Sequence, residues 1–173
     1  MSDNSVLRIY ITGTPGTGKT AVAKNLSRNL NLDFLELNDL IIKEGLYLGY
    51  DINRDTLIVD DELLTKELLR KLRTTNKICI SSGMVLLKLP IDYIIILHSS
   101  TPTLRKRLET RCYSEEKIES NLEAEIMNVL FYDFTEFYPP EIIYEIQNDE
   151  RSIEDTCKQI ISIIRKHSLG ITE

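Results

Sequence analysis

Eight consecutive residues carry the first chemical signal. Gly13, Thr14, Pro15, Gly16, Thr17, Gly18, Lys19 and Thr20 fill every position of the pattern G-x-x-x-x-G-K-[ST]. Glycines at 13, 16 and 18 let the backbone curl until successive N–H groups face one anion, and a helix starting at Lys19 adds its positive dipole end. Lys19 has the reach for β- and γ-phosphates, and the Thr20 hydroxyl is placed to ligate Mg²⁺. The bland alternative is a glycine-rich turn. An apolar strand before the loop and an amphipathic helix after it favour the phosphate cradle. This loop implies a nucleoside triphosphate and leaves the reaction open.

Basic residues supply the second signal. Arg105, Arg107 and Arg111 precede a turn, and Arg107 and Arg111 are four apart, so they share a helix face and can converge on one phosphate chain. The same spacing also suits a solvated basic face paired with Glu109, Glu115 and Glu116. Leu57-Ile58-Val59-Asp60-Asp61 resembles a strand ending in metal-linked acids. It reads better as a loop entering a helix, whose dipole favours acids in the first turn. The only Asn-Lys pair, Asn76-Lys77, runs into Ile78 and Cys79, so guanine specificity has no support.

The elements that must position these groups follow from periodicity. Leu7–Thr12 reads as a buried strand, and Val22, Ala23, Leu26 and Leu30 recur at helical spacing after Lys19. Asp33–Leu37 predicts a second strand, and Asn38 a cap for a short helix ending at Glu44. Residues 45–54 show no periodicity and read as a mobile flap. A helix begins at Asp60–Asp61 and carries Leu64, Leu68 and Leu72; strands follow at Ile78–Ser81 and Asp92–Leu97. Thr101–Pro102 starts a helix with Pro at its first position. Glu115–Phe137 predicts one long helix ending before Pro139, Ile142–Ile146 a last strand, and Ser152 a cap for the closing helix. Apolar strands alternating with helices predict an α/β fold with a parallel sheet covered on both faces.

Composition sets the outer limits. A chain of 173 residues, 42% hydrophobic and 28% charged, fits a single globular domain. A net charge of −6 argues against an extended nucleic-acid surface. Cys79, Cys112 and Cys157 form no CxxC pair and read as reduced thiols in an intracellular, cytoplasmic protein (nuclear if eukaryotic). No secretory signal and no run long enough for a membrane span is expected. His98 and His167 lack partners at useful spacing and read as bystanders.

Several segments, in order, resemble the nuclear-type adenylate kinase family, isoenzyme six, with its archaeal members. They are residues 13–20, Asn38-Asp39-Leu40, Leu46-Tyr47-x-Gly49-Tyr50-Asp51, Arg107-Leu108-Glu109-Thr110-Arg111 and Asn121-Leu122-Glu123-Ala124-Glu125-Ile126. The resemblance implies a three-layer P-loop NTPase fold with a five-stranded parallel sheet in the order 2-3-1-4-5. It also implies an acceptor flap near residues 36–59 and a short lid near 110–120. It implies transfer of the ATP γ-phosphate to AMP or another nucleoside monophosphate, with Mg²⁺, some ATPase activity, and a role in small ribosomal subunit maturation through a subunit protein.

Carried over by position, Gly16, Gly18, Lys19, Thr20 and the Ala21 backbone hold the ATP phosphates. Arg111 meets the triphosphate with Arg107 beside it; Asp39, Tyr50 and Asp51 fall in the acceptor flap; and the loop 147–151 contacts adenine. The chain departs from the family at Ser81-Ser82-Gly83-Met84, where an acid and a histidine are usual. It departs again at Ile42, at His98, where Arg is frequent, and at Cys112, where Gly is usual. A neutral Ser82 predicts weak Mg²⁺ dependence and a slow enzyme unless Asp60 or Asp61 substitutes. The competing expectation is a nucleotide-switched assembly factor clamping a small-subunit ribosomal protein with little turnover.

Overall fold

The structure, a computed structural model, describes residues 6–149 and 151–168. Strand β1 (Leu7–Thr12) feeds the phosphate loop and α1 (Lys19–Leu30), followed by β2 (Asp33–Glu36) and α2 (Leu37–Glu44). A hairpin of β3 (Tyr47–Asp51) and β4 (Thr56–Val59) leads into α3 (Asp61–Thr74) and β5 (Lys77–Ser81). Then come β6 (Tyr93–His98), α4 (Thr101–Thr110), α5 (Glu115–Ile126) and α6 (Val129–Thr135). A 3-10 turn at Pro140–Ile142, β7 (Ile143–Gln147) and α7 (Ile153–Ser168) close the chain.

Five strands pair in parallel in the order β2-β5-β1-β6-β7, with β1 in the centre. Counted within this sheet alone, that is the expected order 2-3-1-4-5, and the architecture is a three-layer α/β P-loop NTPase fold. Alternation along the strands builds the layers. Ile9, Ile11, Cys79, Ile95 and Leu97 face α1 and α7 through Val22, Leu26, Cys157 and Ile160. Tyr10, Ile78, Ile80, Ile94 and Ile96 face the other way, onto Leu37, Leu64, Leu68, Leu130 and Phe134 of α2, α3 and α6. Each such fully buried side chain contributes about 1.5–3 kcal/mol relative to exposure. A smaller cluster of Leu104, Leu108, Ile118 and Leu122 joins α4 to α5.

Four local expectations need correction. The segment 45–54 is mostly ordered as the antiparallel hairpin β3–β4, because Asp51 Oδ1 accepts from the Asn53 and Arg54 amides at 3.0 and 3.1 Å and closes its turn. Asn38 does not cap α2. The chain passes from β2 straight into the helix, with Glu36 at the cap position and Asn38 already inside the first turn. The long helix after Glu115 breaks at Asn128, whose φ of 51° and ψ of 40° are left-handed and end the i→i−4 ladder. Its Nδ2 donates to Glu145 Oε1 at 2.7 Å, so a tertiary bond holds the break. Finally, Ser100 occupies the cap of α4, leaving Thr101 at the first position and Pro102 at the second.

Other starts and stops stand. Asp60 caps α3 by accepting from the Leu63 amide at 3.0 Å, which settles it as a helix start. Strand β4 belongs to the separate hairpin, so Asp60 and Asp61 do not end a strand of the central sheet. Ser152 Oγ accepts from the Asp155 amide at 3.1 Å at the head of α7. No helix of the described residues is long and apolar enough to cross a membrane. The three cysteines are free, and burial pushes the Cys79 and Cys157 thiols up, to about 12 and about 11.

Candidate active site

The phosphate loop leaves the carboxyl end of the central strand, where a doubly wound sheet places its ligands. Its glycines are demanded by crowding as well as by torsion. A Cβ on Gly16 would lie 2.8 Å from Leu104 Cδ1 at a φ of +97°, and one on Gly18 would lie 2.8 Å from Asn148 Nδ2 at a φ of +89°. Inside the curl, Thr17 Oγ1 donates to the Thr14 carbonyl at 2.9 Å, and Lys19 Nζ approaches the same carbonyl at 3.4 Å. The Val22 amide closes the first bond of α1 to the Gly18 carbonyl, at 3.1 Å. The amides of Lys19, Thr20 and Ala21 therefore open the helix as free donors.

Three residues outside the loop hold it in shape. Asn148 Nδ2 donates to the Thr17 carbonyl at 2.7 Å, while Thr156 Oγ1 donates to Asn148 Oδ1 at 2.6 Å, so both ends of a buried amide are used. Arg107 Nη1 donates to the Gly16 carbonyl at 2.9 Å and to Ser99 Oγ at 3.0 Å. Glu125, whose side chain is 7% exposed, accepts from Thr14 Oγ1 at 2.7 Å through Oε2 and from the Ser99 amide at 2.9 Å through Oε1. Its Oε1 also lies 3.0 Å from His98 Nδ1, and His98 Nε2 lies 3.1 Å from Glu145 Oε1.

Electrostatics set the charges. Burial pushes the Lys19 ammonium down, to about 8, and the nearby Arg111 charge adds to this; Glu36 and Glu125 pull the other way. Burial raises the Glu125 carboxyl, but the bonds from His98, Thr14 and Ser99 outweigh it and leave the group below the usual carboxylate range. The Glu125 bond raises His98 above its ordinary value against the opposing effect of burial. His98 is thus part of the loop's support and no bystander. His167 only sets its ring edge-on to Tyr93 at 5.7 Å.

The residues singled out by sequence separate into groups. Gly13, Gly16, Thr17, Gly18, Lys19, Thr20 and Ala21 form one continuous cradle at the loop and the head of α1. Arg111 ends α4, exposed, and its charge is felt at Lys19. Arg107 is engaged beneath the loop, while Arg105 is turned away onto Glu115 and Glu119. Asp39 is exposed in the first turn of α2, and the Tyr50 hydroxyl donates to Asp55 within the hairpin. Asp55 in turn pairs with Lys117 Nζ at 2.9 Å, tying the hairpin tip to the start of α5. Within 147–151, Asn148 is turned inward against the loop; Glu150 lies outside the described residues.

A loop of this type implies Mg²⁺, which wants hard oxygen donors and keeps most of its waters. The Thr20 hydroxyl is one such donor. Glu36 Oε2 and Ser81 Oγ are buried and without a hydrogen-bond partner among the described residues. They are register partners on the α1 side of the sheet, so the residues present fit the cation. Ser82, expected at the place of the missing acid, instead sits beside the Tyr10 phenol on the opposite face. His98 was not identified as a site residue from sequence, and Asn148 and Glu36 fell only inside the expected adenine loop 147–151 and acceptor flap 36–59, without the roles seen here. Glu125 was visible only as part of the segment 121–126.

Comparison with known proteins agrees with this geometry. A family model described as an AAA domain matches residues 9–128. A protein of Methanosarcina barkeri named "Putative adenylate kinase" is 38% identical over 156 residues, covering 90% of this chain and 85% of that protein. Its namesake in Methanocaldococcus jannaschii is 33% identical over 169 residues, covering 96% and 92%. Among solved structures, shikimate kinase from Acinetobacter baumannii in complex with shikimate superposes with a TM-score of 0.66 at 18% identity, covering 94% of this chain and 96% of that one. Shikimate kinase from Aquifex aeolicus gives 0.58 at 20% identity, covering 95% and 99%. At those identities the structural matches speak for the fold alone. The archaeal relatives go further, and by them the chain belongs to the adenylate kinase-like family of P-loop proteins.

Proposed function

We propose that the protein is a nucleoside monophosphate kinase, moving the γ-phosphoryl group of Mg²⁺–ATP to AMP or a related nucleoside monophosphate. The observation that carries this reading is the complete cradle at the end of β1, with Lys19 at its base and Arg111 close enough to lower the Lys19 pKa. Two cations that repel each other in the free protein are stabilised together by a triphosphate between them. Phosphoryl transfer asks the protein mainly for position and charge compensation, and this site supplies both. The amides of residues 16–21 orient the phosphates, Lys19 neutralises the β- and γ-oxygens, and Arg111 covers the charge that develops between donor and acceptor. Thr20 would hold the Mg²⁺, which when bound neutralises the phosphate oxygens. Arg107 acts by fixing the Gly16 carbonyl.

Residues 36–59 and 110–120 serve in this reading as acceptor flap and lid of a single domain, with Asp39, Tyr50 and Asp51 on the acceptor side. The test is an activity screen over pairs of nucleoside triphosphate and monophosphate, comparing wild type with Lys19→Ala. ADP formation that depends on both substrates and disappears in the variant is the expected result. Equal rates in the two proteins would overturn it. ATP hydrolysis without acceptor, measured in the same screen, should be the slower activity.

A second reading is a nucleotide-dependent assembly factor for the small ribosomal subunit. The hairpin favours it, since it exposes Leu48 and Ile52 at 72% and 84%. The net charge of −6 complements a basic ribosomal protein. A pull-down that recovers no small-subunit protein, with or without ATP, would remove this reading.

A further inference from the structure

The end of β5 presents the buried Ser81 and Ser82, where the family resemblance leads one to expect an acid, and the neighbouring strand carries one. Along β5, Cys79 and Ser81 point toward α1, while Ile78 and Ile80 point toward α2 and α3. The β2–β5 register pairs Phe34 with Cys79 and Glu36 with Ser81, and paired residues of parallel strands share a face. Phe34 does pack on the α1 side, with Lys24 of α1 at 5.6 Å above its ring. Glu36 therefore projects on the phosphate-loop side, next to Ser81.

Three observations say that its carboxylate is turned into the site. Its charge is felt at Lys19, whose ammonium it favours. Its Oε2 is buried with no partner among the described residues, which leaves it open to accept a hydrogen bond. It also occupies the cap position of α2 yet makes no side-chain cap bond, the ordinary use of an acid there. Asp60, the alternative acid, is already committed to capping α3.

We propose that Glu36 replaces the acid missing from β5, accepting hydrogen bonds from the water shell of the Mg²⁺ on a bound nucleotide, with the Ser81 hydroxyl as a neutral companion. This rests on the reading that the loop binds Mg²⁺–nucleotide. Groups in such outer positions typically change metal affinity by about 10–100-fold when removed. The probe is Mn²⁺ with ADP, its affinity for the protein–ADP complex read by electron paramagnetic resonance, alongside ADP affinity in EDTA. Glu36→Gln should weaken Mn²⁺ binding by about 10–100-fold and leave metal-free ADP binding within twofold. Asp60→Asn should do neither, and adding Ser81→Asp to Glu36→Gln should restore much of the loss. A Glu36→Gln protein with wild-type Mn²⁺ affinity, or a double variant that recovers nothing, would overturn the assignment of Glu36 alone. A wild type that binds no ADP, with metal or without, would overturn the nucleotide reading and this assignment with it.

Discussion

At the scale of the residue, Lys19 is the group whose charge is most exposed to conditions. With its ammonium lowered to about 8, the free protein at pH 8 carries this lysine about half protonated, whereas a bound triphosphate holds it fully charged. ATP binding at pH 8 should then take up about half a proton. Calorimetric titrations in buffers of different ionisation enthalpy measure it, and identical heats in all buffers would refute the lowered value. His98 behaves in the opposite sense. Its folded pKa is raised by Glu125, so its contribution to stability is full below the unfolded value of 6.5 and fades as pH rises through the folded one. His98→Gln should therefore lower Tm more at pH 5.5 than at pH 9. An equal loss at both would show that Glu125 does not hold the proton there.

At the scale of the element, the loop and the hairpin make contrasting demands. Gly16 combines a φ of +97° with a Cβ position 2.8 Å from Leu104 Cδ1, so Gly16→Ala strains the backbone and makes the Leu104 side chain or the loop shift. A cost of about 1–3 kcal/mol is expected from the torsion alone, readable in urea unfolding and accompanied by loss of ATP binding. A variant as stable as wild type would show that the crowding is relieved freely. The hairpin, by contrast, is tethered at its tip through Asp55 and Lys117, with Asp55 66% exposed. Lys117→Ala should cost less than about 1 kcal/mol of stability yet speed amide exchange across residues 47–59 severalfold. Unchanged exchange would mean that the hairpin is held by its own bonds alone. The break at Asn128 shows why helix length was misread. Periodicity continues through it, while the bond to Glu145 that stabilises its left-handed torsion comes from a distant strand.

At the scale of the whole molecule, Phe134 connects the layers. It lies fully buried between Tyr10 and Tyr138, with ring centroids 5.7 and 5.9 Å away, and Tyr138 in turn accepts from the Leu89 amide at 2.8 Å to hold the loop before β6. Phe134→Ala should cost about 3–5 kcal/mol by chemical denaturation; a loss below 1 kcal/mol would mean that α6 contributes little to the core. The glycine-rich loop and the strands were legible because they rest on local pattern, whereas the order of the sheet was implied by the family resemblance. A loop signature is contiguous, and strand burial is written in apolar runs. The hairpin was obscured because its strands lie mostly at the surface, where no apolar alternation is required. The supports of the loop were illegible for a different reason. Asn148 reaches Thr17 across 131 residues and Glu125 reaches Thr14 across 111, and neither spacing has a periodicity to reveal it. Sequence by itself determined that this chain curls a glycine-rich loop at the end of a buried strand. Only the tertiary structure decided which distant polar groups hold that curl, and that Glu36 rather than Asp60 faces it, because only the packed sheet brings their strands and helices to one edge.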